Sequence, residues 1–153
     1  MRSRIVSGIV WLVLAGFVGF PTSGEAVSPV NETLFGVAIH GYDPVAYFED
    51  GAPREGSGDF ELEWRGATWR FASAEHRERF RADSESFAPQ YGGYCAYAVA
   101  KGGTANGDPR LWSIVGGKLY LNLDPDVQKF WDADRAGYIA KADASWPGIV
   151  DSE

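Results

Sequence analysis

Two stretches of the chain alternate apolar and polar residues around a tight turn. In Phe60 to Phe71 the turn is Arg65-Gly66. Trp64 then faces Ala67, Leu62 faces Trp69 and Phe60 faces Phe71 on one side of the ribbon. Glu61 opposite Arg70 and Glu63 opposite Thr68 make the other side. A period of two with matched partners across a glycine-containing turn predicts a half-buried antiparallel hairpin. Leu111 to Asn122 repeats the pattern around Gly116-Gly117, with Ile114 opposite Leu119 and Trp112 opposite Leu121. A helix start follows each ribbon. Ser73 caps Ala74 to Arg81 with Phe80 on the inner side, and Asp124-Pro125 opens a helix bearing Val127, Phe130 and Trp131.

Between and around these units the pattern predicts shorter pieces. Phe35 to Ile39 reads as a short strand, and Asp43-Pro44 as the capped start of a turn or two of helix through Phe48. Ser84 to Phe87 reads as a short helix, and Lys101 to Pro109 as an exposed loop. Tyr138 to Ala144 reads as a last helix, with Trp146-Pro147 closing the domain. The two hairpin-helix units superimpose at an offset of 50, placing Leu62 on Trp112, Gly66 on Gly116 and Phe80 on Phe130. Duplication and convergence on a common motif both explain this. The expected fold is a compact α+β domain of two antiparallel hairpins, each followed by a short helix, over residues 35–148. A flexible lead-in of residues 27–34 precedes it.

Residues 1–26 read as an export leader. Arg2 and Arg4 precede the uncharged, mostly apolar run Ile5 to Phe20, and Gly24-Glu25-Ala26 offers small residues for cleavage before Val27. An uncleaved anchor is the rival, weakened by Pro21 and Thr22-Ser23-Gly24. Cleavage in a Gram-negative cell gives a periplasmic product of 127 of the 153 residues. Losing Arg2, Arg4 and Glu25 takes the net charge from −7 to −8. Such an acidic chain, without a basic cluster, excludes nucleic acid as a partner and gives no stable membrane insertion after cleavage. The six tryptophans, seven tyrosines and nine phenylalanines, all but Trp11, Phe17 and Phe20 beyond residue 26, supply a substantial core.

Cysteine arithmetic limits the chemistry. A single cysteine, Cys95, cannot form an internal disulfide. It is a buried small hydrophobe, a ligand, a reactive thiol, or half of an intermolecular bond. If it lies on a strand it shares a face with Tyr97 and Val99, as a core residue does. No phosphate-cradling glycine loop, His-Glu-x-x-His or Ser-His-Asp set is present, so no enzyme is expected.

Three segments in fixed order carry a resemblance: Gly41-Tyr42-Asp43-Pro44-Val45-Ala46-Tyr47-Phe48, Trp69-Arg70-Phe71-Ala72-Ser73, and Tyr91-Gly92-Gly93-Tyr94-Cys95-Ala96-Tyr97. Together they resemble the YHS domain family, in particular its exported stand-alone members. The resemblance covers Phe35 to about Tyr94 and implies a metal-associated protein, with copper or zinc as the ion. Metal-binding members carry cysteines after Asp-Pro-Val and in a Phe-Cys-Ser-x-x-Cys run. Here Ala46 and Ala72 stand at two of those places, and His76 stands at the third. The candidate metal ligands are therefore Cys95, His76 and His40. A tight site needs all three to converge, with a carboxylate or tyrosine completing the sphere. Taken singly, His76 reads as a cap or packing residue, and His40 as an exposed turn residue. The second reading is an envelope module that binds a small ligand or a protein through an aromatic groove, without metal.

Overall fold

A computed structural model describes residues 27–150. The leader expected at residues 1–26 lies outside the described residues. Strands β1 (Ser57–Trp64) and β2 (Ala67–Phe71) form one antiparallel hairpin, and β3 (Asp108–Val115) and β4 (Lys118–Asn122) form another. Helices α1 (Ala46–Glu49), α2 (Ala74–Ala82), α3 (Ser84–Phe87), α4 (Ala96–Ala100), α5 (Pro125–Ala133) and α6 (Arg135–Val150) complete the α+β domain. No helix among the described residues is long and apolar enough to cross a membrane.

The first hairpin has the expected turn and pairs Leu62 with Trp69 and Trp64 with Ala67. Its far end differs. An irregularity between Ser57 and Glu61 sets Ser57, not Phe60, opposite Phe71. Such a bulge bends the strand without altering which side chains face inward near the turn. Trp69, Phe71 and Phe80 are fully buried together, with ring centroids 5.1 to 5.2 Å from Phe80. Ser73 caps α2 by accepting from the backbone N–H of His76.

The second hairpin shows why alternation alone misleads. Ile114–Leu119 and Trp112–Leu121 pair as expected. Yet Leu119, Tyr120, Leu121 and Asn122 are all buried, because β4 is covered on both faces. Leu119 and Leu121 join the core built by the first unit, while Tyr120 packs on Trp131 of α5 at 5.3 Å. A doubly covered strand gives no signal about which face its own helix takes.

This corrects the offset relating the two units. Strand, cap and helix bounds recur at 51 residues: Ala67 and Lys118, Phe71 and Asn122, Ser73 and Asp124, Ala82 and Ala133. The counterpart of buried Phe80 is thus buried Trp131, not Phe130, which is 57% exposed. The repeat also begins earlier than the hairpins. Ile39-His40-Gly41 and Tyr91-Gly92-Gly93 both run through left-handed φ, at 40°, 55°, 81° and 56°, 60°, 87°. Each run enters a Gly-Tyr step and then a short helix, at an offset of 52. Backbone bonds repeat with it: the N–H of Asp43 reaches the carbonyl of Arg54, and that of Cys95 reaches the carbonyl of Ala105.

Four further expectations change. Residues 27–34 are not a free lead-in, since Val30 and Asn31 are buried and the N–H of Asn31 donates to the carbonyl of Gly92. Gly92 is required there, because a Cβ would strike the carbonyl of Pro29. Residues 35–39 form no strand of their own, only single bridges from Glu32 to Ala38 and from Val37 to Thr68. Cys95 lies not on a strand but at the residue before α4. Finally, Pro147 does not stop the last helix, which runs on to Val150.

Candidate functional site

Asp43 is the most fully engaged polar side chain among the described residues. It is completely buried, and its Oδ1 accepts from the N–H groups of Val45 and Ala46, opening α1 as the sequence suggested. Its Oδ2 accepts from the N–H of Ala72 at 2.8 Å and lies 2.6 Å from Nδ1 of His76. Placing the proton on Nδ1 makes His76 the fourth donor and leaves Nε2 with its lone pair. His76 is therefore spoken for at one nitrogen by a buried carboxylate, across 33 residues of sequence. The sequence reading saw Asp43 only as a helix start. Local pattern carries no information about a contact of that separation.

Cys95 occupies the same seat in the second unit. The backbone groups of Tyr97, Ala98 and Leu123 bear on its thiol, where Asp43 accepts from the N–H groups of Val45, Ala46 and Ala72. The offsets are the 52 and 51 that relate the units. Its hydrogen bond is donated from Sγ to Oδ1 of Asn122 at 3.8 Å. Burial pushes the thiol pKa up, partly opposed by those backbone groups. Where the first unit has His76 the second has Val127, with the same backbone bond to its cap. The charge and its partner have been exchanged together for a thiol and an aliphatic side chain. That exchange is consistent in energy, since a buried carboxylate without its donor would be costly.

His40 belongs to neither seat. Exposed, at φ 55°, it stands where two adjoining clefts meet. One cleft, of about 300 Å³, is lined by Tyr42, Asn106, Asp108, Arg110 and Leu123 as well as His40. Arg110 holds Asp108 through paired bonds, which draw the Asp108 carboxyl below its usual pKa. The other cleft, of about 710 Å³, is lined by Leu34, Phe35, Val37, His40, Arg70 and Asn106, with Glu32 and Thr33.

The three candidate ligands therefore do not converge. His76 is bound to Asp43, Cys95 is buried against Asn122, and His40 stands in the open clefts. Among the described residues no group of three or more His, Cys, Asp or Glu side chains is arranged to hold a metal ion. The residues present do not fit the copper or zinc site that the sequence suggested.

The open feature is the rim of the larger cleft. Leu34 and Phe35 are fully or almost fully exposed, at 103% and 91%. They sit at the tip of a closed turn, not on a frayed end. The N–H of Gly36 reaches the carbonyl of Thr33, the N–H of Thr33 reaches the carbonyl of Val37, and Thr33 Oγ1 accepts from Phe35 and Val37. In the sequence the pair was divided, Leu34 ending the expected lead-in and Phe35 opening the expected strand, so its common exposure went unseen.

Comparison with family models, with curated proteins and with solved structures finds no match.

Proposed function

We propose that the chain is an exported binding module of the cell envelope, of YHS type, which takes an amphipathic ligand in the cleft beside His40. The observation that carries this reading is the 710 Å³ cleft with Leu34 and Phe35 held bare at its rim. Exposed apolar residues of that size, fixed by backbone bonds, favour binding over solubility. Leu34, Phe35 and Val37 suit an apolar body. His40, Arg70 and Asn106 suit a polar or anionic head. A binding role fits better than a catalytic one, because the one thiol is buried and donates to Asn122, and burial raises its pKa. The metal reading required a convergence that the ligands do not make.

The test uses 1-anilinonaphthalene-8-sulfonate, an apolar dye with an anionic head, titrated into the native protein. Saturable binding at one site, weakened about tenfold or more by Phe35→Ser (about 1.4 kcal/mol), is the expected result. Dye binding indifferent to that change would overturn the cleft assignment. One zinc or copper per chain in purified protein, lost in Cys95→Ala, would restore the metal reading.

A further inference from the structure

Resting on the reading of an amphipathic ligand, we propose that the smaller cleft receives its head, and that this head is a neutral, polyhydroxylated group of the sugar class. Two short runs of chain face one another across the cleft. On one side Asn106, Asp108 and Arg110 alternate with buried Gly107 and Pro109, so three polar side chains share one face. The backbone behind them is fixed. A Cβ on Gly107 would strike the carbonyl of Gly93, and the carbonyl of Pro109 accepts from buried Tyr47 at 2.7 Å. On the other side His40 and Tyr42 flank buried Gly41. The runs are close enough to act on each other, His40 on Asp108 and Tyr42 on Arg110. Folding alone would favour glycine at residue 40. Its φ is 55°, and the corresponding place in the second unit holds Gly92. A strained, exposed histidine at the junction of two clefts points to a role in binding.

The chemistry of the lining selects the head. Among the described residues, the only hydrogen bonds made by the polar side chains of this cleft join Arg110 to Asp108. These two are also the charged pair of its lining; Glu32 and Arg70 line the larger cleft, where Arg70 is paired with Glu61. A lone anion would meet the Asp108 carboxylate, and a lone cation the Arg110 guanidinium. A neutral head meets a pair that is already compensated. The imidazole of His40, the phenol of Tyr42 and the amide of Asn106 remain open, and each can both donate and accept. An anionic oxygen only accepts and an ammonium only donates, whereas a hydroxyl does both. The ring of Tyr42, with Pro109 and Leu123, supplies an apolar wall for the C–H face of a sugar ring.

The experiment holds the tail constant and varies the head. Octyl glucoside, octyl sulfate, octyltrimethylammonium and octylphosphocholine are titrated calorimetrically into the protein, each below the concentration at which it forms micelles. The glucoside is expected to bind about tenfold tighter than the other three. His40→Gly, which installs the residue of the second unit, and Tyr42→Phe, which removes only a hydroxyl, keep the fold. Each is expected to weaken the glucoside about fivefold and to leave the other three heads within about twofold. Phe35→Ser is expected to weaken all four alike, since it acts on the tail. Preference for the sulfate, the ammonium or the phosphocholine would overturn the proposal, as would glucoside binding indifferent to both His40→Gly and Tyr42→Phe. Four heads bound equally, and all weakened by Phe35→Ser, would overturn the sugar and leave the amphipathic reading standing. Binding by none of the four would overturn both.

Discussion

Asp43 and Cys95 are the same position twice, and their difference sets what each can do. The Asp43 carboxyl accepts from three backbone N–H groups and lies against His76, whereas the Cys95 thiol donates to Asn122. Cys95 is accordingly expected to react slowly with a thiol reagent in the native protein and quickly after unfolding; rapid native labelling would show an accessible thiolate. Cys95→Ser keeps a donor for Asn122 Oδ1 and should cost about 1 kcal/mol or less. Cys95→Ala leaves that buried oxygen without its donor and should cost about 1–3 kcal/mol. If denaturant melts ranked alanine the milder change, Sγ would not be acting as a donor to Asn122. Asp43→Asn turns one side of the seat into a donor facing another donor. A loss of about 2–3 kcal/mol is expected, together with an altered His76 ring tautomer in nitrogen-15 spectra.

At the scale of elements, the two hairpins make a matched experiment. Trp69 and Trp131 are both fully buried, each with its ring N–H bonded, Trp69 to the carbonyl of Trp64 and Trp131 to Ser113. Truncating either to alanine should cost about 3–5 kcal/mol. Phe130→Ala, on the exposed side of α5, and Glu63→Ala, on the outer face of β1, should each cost well under about 1 kcal/mol. Thermal melts in which Phe130→Ala matched Trp131→Ala would restore the 50-residue offset. The burial of Trp131 and the exposure of Phe130 argue for 51.

For the whole molecule, burial sets a limit at high pH. Tyr47 donates to the carbonyl of Pro109 at 2.7 Å and Tyr91 to Asp143 at 2.8 Å. Burial is the largest influence raising both phenol pKa values well above the usual range, and it also raises those of Tyr94 and Tyr120. The unfolded chain releases these protons first, near pH 10. The stability they confer is therefore whole below that pH and is lost as pH rises above it. The expected slope is up to about 1.4 kcal/mol per pH unit for each such group. Melting temperatures between pH 8 and 11 should stay level and then fall, and Tyr47→Phe should flatten the fall. A drop beginning well below pH 9 would mean that other groups govern it.

The α+β class, both turns, the pairings next to them and the caps at Ser73 and Asp124 were legible in the sequence. They depend on neighbours a few residues apart, where period and turn chemistry act directly. The bulge at Ser57 to Glu61, the double burial of β4 and the 51-residue offset were not, because they follow from which faces the two units press together. The candidate site divides in the same way. Residue type alone marked Cys95, His76 and His40 as able to hold a metal. Only the fold decided that His76 would be tied to Asp43, that Cys95 would be buried against Asn122, and that His40 would stand in an open cleft. Contacts between residues tens of positions apart are fixed by the mutual burial of whole units. That burial left Leu34 and Phe35, unremarkable in the sequence, as the most exposed large apolar side chains among the described residues.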